Sequence, residues 1–439
     1  MTINPTEVHK TLGKYMIIDG FDFVYDIKKS KGARIYDSKN NKFLLDCFSF
    51  FATSPLGCNH PKLSNPEFIK IMGEIAIENP TNSDIYTTQM AEFVETFGKI
   101  AVPDYFKHLF FIAGGALAVE NGLKTAFDWK IRKNIENGKN EKLGTQVIHF
   151  KEAFHGRTGY TLSMTNTFNL NKIKYFTKLN WPRITNPKIT FPLNQENKEK
   201  VNTLEKQAVS EIETAIAENP DDIAALIIEP IQGEGGDNHF RKQFFHELRR
   251  ICNENEIMFI LDEVQSGVGL TGRMWAYQNY DFKPDVIAFG KKTQVCGIMV
   301  GSRVDEIKDN VFTVSSRLNS TWGGNLVDMV RCKKYLEVIE DENLVKNAEV
   351  QGKRLRKGLE DLEQKYPDLI SNARGLGLMC AFDLPTSEKR DEIKNKIYSN
   401  GLIVVGCGEK TIRFRPPLII SEEEIDEALS IIDTTLFNY

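Results

Sequence analysis

Two lysines, Lys291 and Lys292, stand side by side in "FGKKTQVCG" at the end of the apolar run "DVIAFG". A lysine amine becomes a nucleophile when desolvation or a nearby positive charge lowers its pKa. A lone lysine at a strand end is more often a solvated cap, so the pair gains meaning only from its neighbours. Asp262 ends the unbroken apolar run of "MFILDEVQSG". A carboxylate so placed is costly unless it meets a cation or strong donors, and a structural ion pair fits it as well as a catalytic role. Glu229 follows another apolar run in "ALIIEP", and Glu234 lies in the glycine-rich "IQGEGG", where backbone can approach a ligand closely. In "AGGALAVE", Gly114 and Gly115 open a helical stretch whose free N–H groups and dipole would suit a phosphate. They match neither G-x-G-x-x-G nor the Walker pattern, and a plain tight turn also fits. In "KEAFHGRTGY", Phe154 is a candidate ring to stack on a planar ligand and Arg157 a fork for a carboxylate, or else a core ring and a surface ion pair. His155 reads as a hydrogen-bonded loop histidine.

The elements that must position these residues alternate. "HLFFI", "TQVIHF", "AALIIEP", "MFILDEV" and "DVIAFG" read as buried strands separated by amphipathic helices, one of them carrying Phe244, Leu248 and Ile251 on a single face. That is βαβ organisation, hence an α/β fold with a mainly parallel sheet in a large domain, and in such sheets ligands collect at the carboxyl ends of the strands. The polar stretch "NQENKEKVNTLEKQAVSEIETAIAENPDD" reads as a loop leading into a solvated helix with Val209, Ile212 and Ile216 near helical spacing. A long helix is expected from near Asn325. "GLMCAFDL", "GLIVVG" and "TIRFRPPL" then read as strands of a smaller α+β region. The expected division is an arm at 1–75, a large domain at 76–329 and a small domain at 330–439. With 439 residues, 41% hydrophobic, 26% charged and a net charge of −4, the chain suits a soluble globular protein. It has no basic block for nucleic acid and no run long enough to span a membrane. Its seven scattered cysteines suit reduced thiols, so a cytoplasmic location is expected, with no metal site.

Taken together, an amine, a buried carboxylate, a stacking ring and a phosphate cradle at the strand ends of one sheet are what an aldehyde cofactor with a pyridinium ring requires. From about residue 30 to the C-terminus, the succession "LDEVQSG", "PDVIAFGK" and "STWGGN" resembles the class III, fold-type I, pyridoxal 5'-phosphate-dependent aminotransferases. In that family a lysine six residues after the aspartate of a "PD" pair forms the Schiff base; counted from Asp285, this is Lys291. The resemblance implies that Asp262 pairs with the pyridine nitrogen, Gln265 with the phenolic oxygen, and Phe154 with the ring face. It implies that Gly115 and Ala116 supply phosphate N–H contacts, although the family more often carries a serine and a threonine there. Thr321 resembles a residue that reaches the neighbouring subunit's cofactor, implying a homodimer with shared sites. Glu234 and Arg413 match a glutamate and an arginine that pair and then separate when a dicarboxylate arrives; Arg415, two residues on, leaves open which arginine is the clamp. Arg157 would hold a distal carboxylate, and Asn319 would help bind substrate. The "TQVCG" tail, with "AFHGRTGYTLS", resembles the branch that transfers a terminal amine from L-lysine to 2-oxoglutarate. Ornithine or 4-aminobutyrate is the alternative donor. A dinucleotide oxidoreductase lacks its glycine signature, and a silent scaffold relative would not need Lys291 and Asp262. Lys292 is expected to be a structural or solvent-facing neighbour.

Overall fold

The computed structural model describes residues 3–439. Seven strands form its central sheet: β1 Phe106–Ile112, β2 Gln146–Phe150, β3 Arg183–Ile184, β4 Ile223–Ile228, β5 Met258–Asp262, β6 Val286–Phe289 and β7 Cys296–Gly301. Their order is β1-β7-β6-β5-β4-β2-β3, and β7 runs antiparallel to both of its neighbours while the other pairings are parallel. Every residue of β4, β5 and β6 is buried. Strands covered on both faces have no polar side to mark by alternation, which is why they read as continuous apolar runs. Helix Lys242–Glu254 supplies part of that cover through Phe244, Phe245, Leu248, Ile251 and Cys252, an apolar stripe at helical spacing. The α/β class and mainly parallel sheet expected from the alternation are present.

The polar stretch expected to begin as a loop is helical from its start. Helix Gln195–Glu218 is capped by Asn194, whose side chain accepts from the Asn197 N–H, and it buries Val201, Ala208, Ile212 and Ala215. An asparagine cap ahead of a charged first turn is the signal that marks its origin. Helix Leu326–Asp341 begins just after Asn325 and runs unbroken through position 330. Its Lys333 meets Glu92 of helix Thr88–Ala101 at 2.9 Å, which ties the part of the helix beyond 330 to an element that precedes it. Farther on, Ser371–Leu376, Met379–Asp383, Thr411–Phe414 and Val405–Cys407 form a four-stranded antiparallel sheet. "GLIVVG", which reads as one strand, is divided between two sheets. Leu402–Ile403 pairs in parallel with Lys42–Asp46, and Val405–Cys407 pairs with Thr411–Phe414. The N-terminal arm is thereby hydrogen-bonded to the C-terminal region. All seven cysteines are buried and unpaired. Among the described residues, no helix is long and apolar enough to cross a membrane.

Candidate active site

Parallel strands that end along one edge of a sheet deliver the residues after them to one place. β5 ends in Asp262, Glu229 follows β4, and the "FHGR" turn follows β2. β7 is antiparallel and so begins where the others stop, which brings Gln294 and Cys296 to the same edge. There a cavity of about 500 Å³ is lined by Gly115, Ala116, Phe154, Arg157, Glu234, Asp262, Gln265 and Lys291, eight of the residues singled out in the sequence. His155, Glu229, Thr53, Gln294 and Cys296 also line it.

The two lysines separate by a turn and not by strand alternation. β6 stops at Phe289, and Lys291–Thr293 is a single 3₁₀ turn in which Lys291 has a φ of 53°. Lys291 is partly buried in the cavity wall. Desolvation pushes its amine down to about 8, nearby Arg413 adds to the depression, and Asp262 and Glu229 oppose it. Lys292 faces the other way and is fully buried, so it is structural and not solvent-facing. Its Nζ donates to the Gln265 carbonyl at 2.6 Å and the Ala52 carbonyl at 3.4 Å, and burial, then repulsion from Lys291, hold its amine well below the usual lysine range.

Asp262 answers the cost of its burial through a residue that the sequence left as a loop histidine. His155 Nδ1 lies 2.9 Å from Asp262 Oδ2, and the Val264 N–H donates to Oδ1 at 3.1 Å. The signal was available in the chain: a histidine five residues past the end of β2, on the same edge as an aspartate with no cation close in sequence. Glu229 takes the Phe154 N–H at 2.9 Å and the Gly233 N–H at 3.1 Å, so it braces the ring-bearing turn. Burial raises its carboxyl to about 7, against the pull of His155.

Gln265 is held through Oε1, which accepts from Arg413 Nη1 at 3.1 Å and from Arg415 Nε and Nη2 at 3.2 and 3.1 Å. A side chain at position 233 could not coexist with this arrangement, because a Cβ there would lie 2.3 Å from Gln265 Oε1. Arg415 is committed to Asp237, with Nη1 2.8 Å from Oδ2 and Nη2 in contact with Oδ1. Arg413 has no such carboxylate. Its guanidinium lies 5.8 Å from the centre of the Phe51 ring, and its buried Nε lacks a partner. Glu234, expected on Arg413, is elsewhere: Oε1 accepts from Lys172 Nζ at 2.6 Å and Thr167 Oγ1 at 2.7 Å. A cation on the loop after helix Gly159–Met164 holds the carboxylate instead. Phe51 belongs to a turn that sequence reasoning missed, Ser49–Ala52, whose four non-glycine residues all have φ between 40° and 63°. Left-handed backbone costs roughly 1–2 kcal/mol per residue. Hydrogen bonds from Ser49 Oγ to the Arg415 carbonyl and from Lys292 to the Ala52 carbonyl tie the turn down.

Asn319 and Thr321 do not join this cavity. Both are exposed on the loop before helix Leu326–Asp341.

The geometry suits a pyridoxal-phosphate site. It combines a desolvated amine, a buried carboxylate backed by histidine, an aromatic ring, and the N-terminus of the 22-residue helix Gly115–Glu136, whose first N–H groups have no acceptor within the helix. A Cβ at its first position, 115, would lie 2.8 Å from Val264 Cγ1, so a side chain there would require Val264 to shift. Such a constellation at the carboxyl edge of this sheet defines a fold-type I pyridoxal-phosphate enzyme. The chain belongs to the class III aminotransferase family, whose model matches residues 19–436. L-lysine-epsilon aminotransferase of Mycobacterium tuberculosis is 49% identical over 433 residues, spanning 98% of this chain and 96% of its own. The enzyme of that name from Streptomyces clavuligerus is 45% identical over 443 residues, 99% and 95% of the two chains. A solved structure of lysine aminotransferase from M. tuberculosis superposes with a TM-score of 0.97 at 48% identity, covering 99% of this chain and 100% of that one. Human mitochondrial 4-aminobutyrate aminotransferase is 31% identical over 466 residues, 99% and 89% of the chains. This protein is a pyridoxal 5'-phosphate-dependent aminotransferase.

Proposed function

We propose that the chain transfers the ε-amino group of L-lysine to 2-oxoglutarate, giving 2-aminoadipate 6-semialdehyde and L-glutamate, as a cytoplasmic homodimer with shared sites. The observation that carries this reading is one cavity holding the desolvated Lys291 amine and the histidine-backed Asp262, with Arg157 at its wall and Arg413 behind Gln265. The two lysine-specific relatives at 45% and 49% identity support lysine over ornithine or 4-aminobutyrate.

When bound, pyridoxal phosphate supplies an aldehyde to receive the amine and a protonated ring to draw electrons from the neighbouring C–H bond. Asp262, fixed by His155 and Val264, keeps the proton on the pyridine nitrogen. Gln265 has its Oε1 occupied by the two arginines and so presents Nε2–H to the phenolic oxygen. Phe154, braced by Glu229, covers the ring face, and the Gly115 and Ala116 N–H groups take the phosphate. Lys291 would hold the cofactor through its amine and, when released from it, would serve as the base that takes the proton from the donor's ε-carbon. Arg157 holds the carboxylate far from the reacting carbon, and Arg413 the one beside the keto group of 2-oxoglutarate. Thr321 and Asn319, exposed on their own subunit, serve the site across the dimer. The same reading divides the chain into an arm at 1–75, a cofactor domain at 76–329 and a small domain at 330–439, with helix Leu326–Asp341 spanning the last junction.

The test is to incubate purified, cofactor-loaded protein with 2-oxoglutarate and, separately, L-lysine, L-ornithine or 4-aminobutyrate, and to measure glutamate. Lysine-dependent glutamate is expected. Glutamate from either of the others but not from lysine would overturn the reading.

A further inference from the structure

Two buried groups of opposite charge in this site each lack what the other offers. Glu234 Oε2 is an acceptor with no donor, and Arg413 Nε is a donor with no acceptor. Buried polar groups are nearly always paired, so two such orphans need a reason. Their backbone and side chain come near one amide: a Cβ at Gly233, next to Glu234, would lie 2.3 Å from Gln265 Oε1, and Arg413 Nη1 lies 3.1 Å from the same oxygen. Gly233, the neighbour of Glu234, and Arg413 thus border the same side chain, which makes Arg413 the second cation beside the Glu234 loop. What holds the Glu234 carboxylate off Arg413 is the loop after helix Gly159–Met164, through Lys172 Nζ at 2.6 Å and Thr167 Oγ1 at 2.7 Å. The lysine is one-third exposed, and its Nζ also lies 5.9 Å from the centre of the Phe154 ring.

We infer that Lys172 is a positioning residue that holds Glu234 away from Arg413 and so keeps the Arg413 guanidinium free for a ligand carboxylate. This rests on the reading that the cavity accepts dicarboxylates. Glu234 has two competing cationic partners. While Lys172 has it, Arg413 can take a second carboxylate; without Lys172, Glu234 falls to Arg413, and a dicarboxylate must first break that pair. A ligand with one carboxylate, which Arg157 alone can hold, is indifferent to the change.

The test uses the cofactor-loaded enzyme and two unreactive probes, glutarate and butyrate, with affinities measured by calorimetry. Partly exposed ion pairs are worth up to about 1 kcal/mol, so Lys172→Met is expected to weaken glutarate roughly two- to fivefold and leave butyrate unchanged. Lys172→Arg should restore glutarate binding. In a Glu234→Ala background the effect of Lys172→Met should vanish, because the residue acts only through Glu234. Equal glutarate affinity in wild type and Lys172→Met, an equal loss for butyrate, or a loss that persists without Glu234 would each overturn the inference. The last outcome would mean that Lys172 binds the carboxylate itself. Because the probes do not react, these outcomes are separate from those of the glutamate assay, which alone decides the donor.

Discussion

Asp237→Asn isolates the ion pair that distinguishes the two arginines of "IRFRPP". Arg415 and Asp237 have side chains that are 1% and 0% exposed, so neither charge has water to fall back on. The substitution keeps the shape and removes the charge. Arg415 retains neutral acceptors, the Phe414 carbonyl at 2.7 Å and Gln265 Oε1 at 3.1 Å, but no anion. Breaking a buried pair while leaving its partner charged typically costs about 3–5 kcal/mol, which lowers the folded-to-unfolded ratio by roughly a hundred- to several-thousandfold. Urea denaturation of the cofactor-loaded enzyme at a fixed protein concentration, followed by tryptophan fluorescence and by far-ultraviolet circular dichroism, measures it. A loss under about 1 kcal/mol would refute the reasoning, since it would mean that carbonyl and amide oxygens alone satisfy the guanidinium. Asp237 would then no longer be the reason that Arg415 is structural and Arg413 free.

Lys291→Ala should lose the cofactor that borohydride fixes covalently, whereas Lys292→Ala should keep it, as read by mass spectrometry of the reduced protein; a fixed cofactor in Lys291→Ala would reverse the assignment. In cofactor-free protein, an amine held down to about 8 is about one-tenth neutral at pH 7 and about nine-tenths neutral at pH 9, so the rate of pyridoxal phosphate uptake should climb through neutrality and level above pH 8. A rate still rising tenfold per unit beyond pH 9 would contradict the shift. The same depression means that between about 8 and the ordinary lysine value of 10.5 the unfolded chain holds a proton that the folded one has released, so stability of the cofactor-free form should rise with pH over that window. His155→Leu removes the 2.9 Å bond to Asp262 at similar volume and should lower kcat by roughly ten- to a hundredfold, the worth of one charge-assisted hydrogen bond. An unchanged kcat would mean that Val264 alone fixes the carboxylate.

What could be read from the chain was whatever depends on neighbours in sequence. β4, β5 and β6 announced themselves because strands buried on both faces must be apolar almost throughout, and the residues at or just past their ends, Glu229, Asp262 and Lys291, were placed at a common edge by the topology that such strands allow. The choice of Lys291 over Lys292 came from its spacing after Asp285 and not from geometry, and the turn that separates the two amines was invisible to it. The rest was decided by pieces far apart in the chain. His155 and Asp262 are 107 residues apart, Asp237 and Arg415 are 178, and Lys172 and Glu234 are 62. Sequence set the chemical types of these residues, but a buried charge is stabilised by whichever opposite charge or donor the fold brings within about 3 Å. Only the packing of loops onto the sheet edge could determine that Asp262 receives a histidine, that Arg415 is consumed by Asp237 while Arg413 is not, and that Glu234 goes to Lys172.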